Sequence, residues 1–147
     1  MKILFIVLGI VVLVIIVGMI RVQRTSRPEL GIQEGKLLPL PNKPNCVATQ
    51  SGNSTQRMEP IPYSGDRETA QNKLLQILNQ LPRTTLIKNE PKYIRIVFRS
   101  AFFGFPDDVE FLFDKHTIHF RAAARLGHSD FGVNRKRMDN ITHLFEK

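Results

Sequence analysis

Apolar and polar positions divide the chain into three unlike stretches. From Ile3 to Ile20 the sequence is one unbroken apolar run, flanked by Lys2 and by Arg21, Arg24 and Arg27. A run of roughly 18 apolar residues is the lower bound for a bilayer-spanning helix, and no polar face is left to meet water. The pattern therefore predicts an uncleaved transmembrane anchor over residues 1–21. A secretory signal would have a shorter apolar stretch and small residues at its end, whereas this one ends Val17-Gly18-Met19-Ile20-Arg21. Gly9 and Gly18 make no GxxxG seam for helix pairing.

Residues 22–43 carry Pro28, Gly31, Gly35, Pro39 and Pro41 among few large apolar side chains, and read as an exposed linker. Residues 44–66 hold further Pro and Gly with scattered anchors at Val47, Met58, Ile61 and Tyr63, and read as irregular chain packed on a domain. Periodicity then becomes regular. Ala70, Leu74, Ile77, Leu78 and Leu81 recur at helical spacing behind Asp66 as N-cap, and Pro82 ends that helix. Four strand patterns follow, over 84–88, 92–100, 107–113 and 117–125. In these, Ile94, Ile96, Phe98, Val109, Phe111, Phe113, Ile118 and Phe120 share one face. Met138, Ile141 and Phe145 mark a last helix over about 134–145. Short connections make the strands antiparallel. The expected fold is α+β: a two-layer domain over 44–147 with an antiparallel sheet of about four strands and two helices, preceded by one N-terminal transmembrane helix.

Charge changes this picture only modestly. The chain has 147 residues and a formal net charge of +8, but five of its 21 basic residues lie between Lys2 and Lys36. No basic run interleaves with aromatics, so nucleic acid is not an expected partner. Cys46 is the single cysteine, which excludes an intramolecular disulfide; with four scattered histidines it makes no metal set, and no cofactor is expected. The positive-inside rule places the bulk of the chain in the cytoplasm.

The polar sheet face carries the candidate chemistry. Arg95 and Arg99 share a face of one strand, Asp108 and Glu110 a face of the next, and Arg121 and Arg125 a face of the third. A salt-bridge lattice on an exposed face is the plainest reading, and such pairs contribute about 0–1 kcal/mol each. Asp107, next to Asp108, points to the opposite face. Arg135, Lys136 and Arg137 fall at the start of the last helix, where positive charge opposes the helix dipole. Two readings stand there. Either this is an anion site built from Arg121, Arg125, Asp130, Asn134, Arg135 and Arg137, or the helix begins at Ser129 or Asp130, whose side chain caps it. Cys46 with a distant histidine, and His116 with His119 on opposite strand faces, make weak catalytic or metal pairs.

Four motifs in order carry a resemblance. They are Pro44-Asn45-Cys46-Val47, Pro60-Ile61-Pro62-Tyr63-Ser64-Gly65-Asp66, Phe105-Pro106-Asp107-Asp108-Val109-Glu110-Phe111, and Arg121 to Arg137 with Gly127-x-x-Asp130-x-Gly132-x-Asn134-Arg135-x-Arg137. From Pro44 to the C-terminus the chain resembles the uncharacterised family catalogued as domain of unknown function 1499. The resemblance implies a small domain of bacteria and plastid-bearing plants, often behind an export or membrane signal, with no agreed activity. With the apolar run it implies a bacterial inner membrane, and it leaves periplasmic exposure open against the charge rule. Relatives often carry Arg-Ser-Ala-Ser-Arg where this chain has Arg121-Ala122-Ala123-Ala124-Arg125, which argues against serine chemistry there. Many also carry a further cysteine before the Pro-Asn-Cys motif, and its absence here weakens a redox role.

Three functions compete. The first is a membrane-anchored, non-catalytic binding or accessory domain. Its basic and polar face would take an anionic group, and its partners would be membrane lipid through the N-terminal helix and an anionic headgroup or a protein. The second is a hydrolase-type enzyme using Asp108 and Glu110 beside Arg121. The third is a structural subunit of a membrane complex.

Overall fold

A computed structural model of the chain describes residues 2–23 and 28–147, with positions 19 and 21–23 as backbone only. In chain order the described elements are α1 (Lys2–Gln23), β1 (Ile32–Gln33), β2 (Lys36–Leu37), β3 (Cys46–Ala48), β4 (Ile61–Pro62), α2 (Arg67–Gln80), β5 (Thr84–Glu90), β6 (Tyr93–Arg99), β7 (Pro106–Asp114), β8 (Thr117–Ala124) and α3 (Val133–Glu146).

The expectation of a single-pass transmembrane anchor, and the membrane localisation drawn from it, is corrected here. Among the described residues no helix is long and apolar enough to cross a membrane. The basic flank read at Arg24 and Arg27, and the side chain of Arg21, lie outside the described residues. The large apolar side chains of α1 are exposed, from 43% at Val17 to 78% at Ile3, and none joins the core.

The sheet is also larger than the four strands expected. Among the described residues it has six, in the order β3-β8-β7-β6-β5, with β4 pairing the other half of β8's outer edge; β1 and β2 form a separate two-stranded hairpin. All pairings within named strands are antiparallel. The regular strands β5 to β8 lie where period-two alternation places them. The additional ones are two or three residues long and sit among prolines, so they carry too little alternation to read. β3 is held by Val47 opposite Ala122, and β4 by Ile61 opposite Ile118. β5 is an edge strand, mostly exposed, with a register irregularity between Leu86 and Lys88 that discourages edge-to-edge pairing.

One sheet face carries the core. Ile94, Ile96 and Phe98 from β6, Val109, Phe111 and Phe113 from β7, and Ile118, Phe120 and Ala122 from β8 pack under Leu74 and Leu78 of α2 and Met138, Ile141 and Phe145 of α3. α2 starts where Asp66 accepts from the Thr69 amide, the cap expected from sequence.

The other face is not the open polar surface expected. Residues 28–43, read as exposed linker, run across it as a strap. Leu37 is buried with Tyr93 and Leu112. Gln50 Oε1 accepts from the Leu37 amide, and Gln56 Nε2 donates to the carbonyls of Pro41 and Lys43. The strap's hairpin turns at Glu34 and Gly35, both at positive φ (52° and 75°), the geometry of a tight two-residue β-turn. The fold is thus helices, sheet and strap, stacked in that order.

Candidate functional site

Register decides which charges meet. Arg95 sits opposite Glu110, and Glu110 opposite Arg121, while Asp108 lies between Val97 and Ala123. Long side chains also reach their diagonal neighbours, and two of the arginines do so here. Arg95 Nη2 donates to Asp108 Oδ1 at 2.9 Å. Arg125 clasps the same carboxylate from the other side, with Nε to Oδ2 at 2.6 Å and Nη2 to Oδ1 at 3.0 Å, a two-pronged geometry. Arg121 Nη1 reaches Glu110 Oε2 at 3.4 Å, and Tyr93 donates its hydroxyl to Glu110 Oε1 at 2.7 Å.

Because the strap covers it, this lattice is buried rather than solvated. Asp108 is 1% exposed and Glu110 0%. The strap contributes main-chain acceptors: Pro28 O takes a hydrogen bond from Arg95 Nη2 at 3.2 Å, and Leu38 O from Arg121 Nε at 3.1 Å. The value of 0–1 kcal/mol per pair, proper to solvated ion pairs, therefore does not apply. Arg95 Nε is buried without a hydrogen-bond partner among the described residues, as is Asn45 Oδ1.

Burial pushes the Glu110 carboxyl above the ordinary glutamate range, against the pull of Tyr93 and Arg121. Burial likewise raises Tyr93 and the Cys46 thiol. For Glu110 the sign is unambiguous. Its folded form holds a proton more tightly than its unfolded form, so it contributes stability that is lost as pH rises from the ordinary glutamate value through the raised one. The stability gap between wild type and Glu110→Gln should therefore narrow over that interval. Urea unfolding of both proteins at pH 4, 5, 6 and 7 checks this; a gap that is constant or widens contradicts it. Asp107, also raised by burial, is present in both proteins and largely cancels.

The second group of expected site residues lies on the helix side. Asp107 points to that side of β7, where Arg137 Nη2 donates to its Oδ2 at 2.8 Å while the guanidinium rests 4.6 Å from the Phe98 ring centroid. Asn134 Oδ1 also accepts from Arg137, and Asn134 Nδ2 donates to the Asn45 carbonyl. Arg135 Nη2 donates to the carbonyl of Thr55 at 2.7 Å, pinning the 53–57 loop. Asp130 turns its carboxylate onto the amides of Gly132 and Asn134, at 3.0 and 2.8 Å. The helix begins at Val133, later than the Ser129 or Asp130 start of the capping alternative, so the cations stay in and next to its first turn, while Asp130 accepts from two amides there from outside the helix. Asp130 supplies the negative charge, Gly132 takes the left-handed turn at φ 76°, and two of the three cations have intramolecular acceptors.

The structure brings Arg121, Arg125, Asp108 and Glu110 together on one face, and Asp107, Asn134 and Arg137 together on the other. It does not join the two sets into one site. A concavity of about 370 Å³ opens beside the first set. Pro28, Pro41 and Lys43 line it from the strap; Asp108, Arg121 and Arg125 line it from the sheet, with Ala123 and Ala124 between. Tyr93, Lys43, and the carbonyls of Pro28 and Leu38 are parts that sequence reasoning missed. The available signal was the pair Leu37-Leu38, an apolar anchor inside a proline-rich stretch. A second cavity of about 210 Å³, among Leu37–Leu40, Gln50–Gly52, Gln56 and Phe120, has no charged side chain on its wall. No group of three or more His, Cys, Asp or Glu among the described residues is arranged to hold a metal ion.

The sequence profile described as Protein of unknown function (DUF1499) matches residues 36–145. No curated protein and no solved structure matches the chain.

Proposed function

The chain belongs to the DUF1499 family of proteins of unknown function, and from that premise we propose that it is a non-catalytic binding module. Its ligand is a small oxyanion taken into the concavity between strap and sheet. The observation that carries this reading is the charge balance of that concavity. Lys43, Arg121 and Arg125 line it with one acid, Asp108, whose oxygens are already held by Arg95 and Arg125. Counting the groups just behind the wall, four cations meet two acids, and Glu110 is drawn toward its neutral form. Guanidinium and ammonium groups in a partly desolvated hollow favour a carboxylate, sulfate or phosphate group.

The hydrolase reading has less behind it. Asp108 has both oxygens occupied by guanidinium groups, and Glu110, at 0% exposure, is out of reach of a substrate. A general acid or base has to come within hydrogen-bond reach of the proton it moves.

Titration calorimetry with inorganic phosphate, sulfate and citrate tests the reading. At least one should bind the wild type. Lys43→Glu, a change at an exposed side chain, should weaken that binding by about tenfold or more, as expected for losing a charge-assisted contact, without shifting the melting temperature. Equal binding by the variant, or no heat from any of the three anions, overturns it.

A further inference from the structure

A different feature of the fold lies at the end of the sheet where β6 and β8 finish and β7 begins. Two loops leave that end. The β6–β7 connection carries Phe102, Phe103 and Phe105, and the β8–α3 connection carries Phe131. Phe102 is 89% exposed and Phe131 90%, with Phe103 and Phe105 also exposed. Burying any one of them would favour a folded core, yet the chain leaves all four outside. The first loop is held in shape. Ser100 and Phe105 exchange two hydrogen bonds, Arg99 Nη1 donates to the Gly104 carbonyl, Gly104 takes positive φ, and Phe103 stacks on Phe105 at 5.4 Å. The rings are therefore presented, not merely uncovered.

Of the acids at this end, Asp107 and Asp108 are paired with Arg137 and with Arg95 and Arg125, while the part-exposed Asp130 accepts from amides at the start of α3. Lys43, Arg83 and Lys136 remain on the surface. Exposed aromatic side chains within a basic surround complement an anionic, soft, apolar-beneath surface. A protein partner would favour anchors clustered in one packed patch and ringed by neighbours that exclude water. Phe102 and Phe131 instead stand singly on separate loops, which a deformable surface accommodates.

We infer that this end of the domain docks on an anionic lipid surface, with the phenylalanines of the two loops entering the headgroup zone from one side and no segment crossing. The inference rests on the loops alone and does not depend on the oxyanion pocket.

The chain contains no tryptophan, so Phe102→Trp and Phe131→Trp each place a single fluorescent reporter at a tip. Pro91→Trp, in the turn at the opposite end of the sheet, is the control. The full chain is mixed with phosphatidylglycerol/phosphatidylcholine vesicles and with pure phosphatidylcholine vesicles. Both tip indoles should shift to the blue and be quenched by acyl-brominated lipid with the anionic vesicles, and the Pro91→Trp indole should not. Raising salt to about 1 M, where the screening length falls to ~3 Å, should reverse the shift. Because the signal is local to each loop, attachment of the chain through the exposed apolar side chains of α1 does not produce it. Unchanged emission from the tip variants overturns the inference, as does an equal shift in the control; a flat vesicle signal is also what a tip that docks on a protein gives.

Discussion

Asp108→Ala is expected to destabilise the domain by about 3–5 kcal/mol, the range for breaking a buried ion pair and stranding its partner. Arg95 loses the carboxylate it donates to and has little to fall back on, since its Nε is already without a partner among the described residues and its Nη2 would keep only the Pro28 carbonyl. Urea unfolding gives the number. The companion experiment separates the worth of the charge network from the penalty of leaving it half-built. Replacing all three groups together, Arg95→Met, Asp108→Leu and Arg125→Met, removes the charges without leaving any one of them unpaired. Buried ion pairs exchanged for apolar groups of similar volume are often neutral or stabilising, so the triple variant should recover most of what Asp108→Ala loses. A triple variant as unstable as the single one would show that the lattice itself holds the sheet in register. A single variant within about 0.5 kcal/mol of wild type, the range of ordinary surface changes, would mean that water reaches this face.

The second large effect concerns the strap. A fragment of residues 28–147 should melt like the full chain, because no side chain of α1 joins the core. A fragment beginning at Pro44 should not. It lacks the Leu37 side chain that closes over Tyr93 and Leu112, and it lacks the carbonyls that accept from Arg95 and Arg121. The apolar part alone is worth at least about 2 kcal/mol by analogy with core leucine truncation, and Leu37→Ala in the full chain should show that much by itself. Differential scanning calorimetry of the two fragments, with a hydrophobic dye to report the uncovered sheet face, makes the comparison. Equal melting of both fragments would return residues 28–43 to the status of linker.

How far the sequence could be read depended on the length of each pattern. Ile94, Ile96 and Phe98 alternate over a full strand, and Ala70, Leu74, Ile77 and Leu78 repeat over a full helix, so period and face were both legible. Cys46–Ala48 and Ile61–Pro62 are too short to alternate and are flanked by prolines; only the presence of β8 makes them strands. The charged residues of the sheet face were legible by identity and register, since alternation puts Arg95, Asp108, Glu110 and Arg121 on one side. Their environment was not. Whether a polar face meets water or chain is decided by contacts more than fifty residues apart in sequence, such as Arg95 with Pro28 and Arg121 with Leu38. The start of α3 carried two readings for a related reason. Three consecutive cations oppose the dipole in sequence, and only tertiary structure reveals acceptors at Thr55 and Asp107 for two of them.

The way the strap is gripped has a practical side. Arg95 and Arg121 read oxygen atoms that every residue type possesses, so the identity of most strap side chains is immaterial to the grip. Leu37 is the exception, its side chain being buried. Outward positions such as Glu29 and Gln33 are exposed, and should accept dyes, cross-linkers or affinity handles while the segment stays seated. That makes the strap a convenient place to attach a probe beside the hollow it walls.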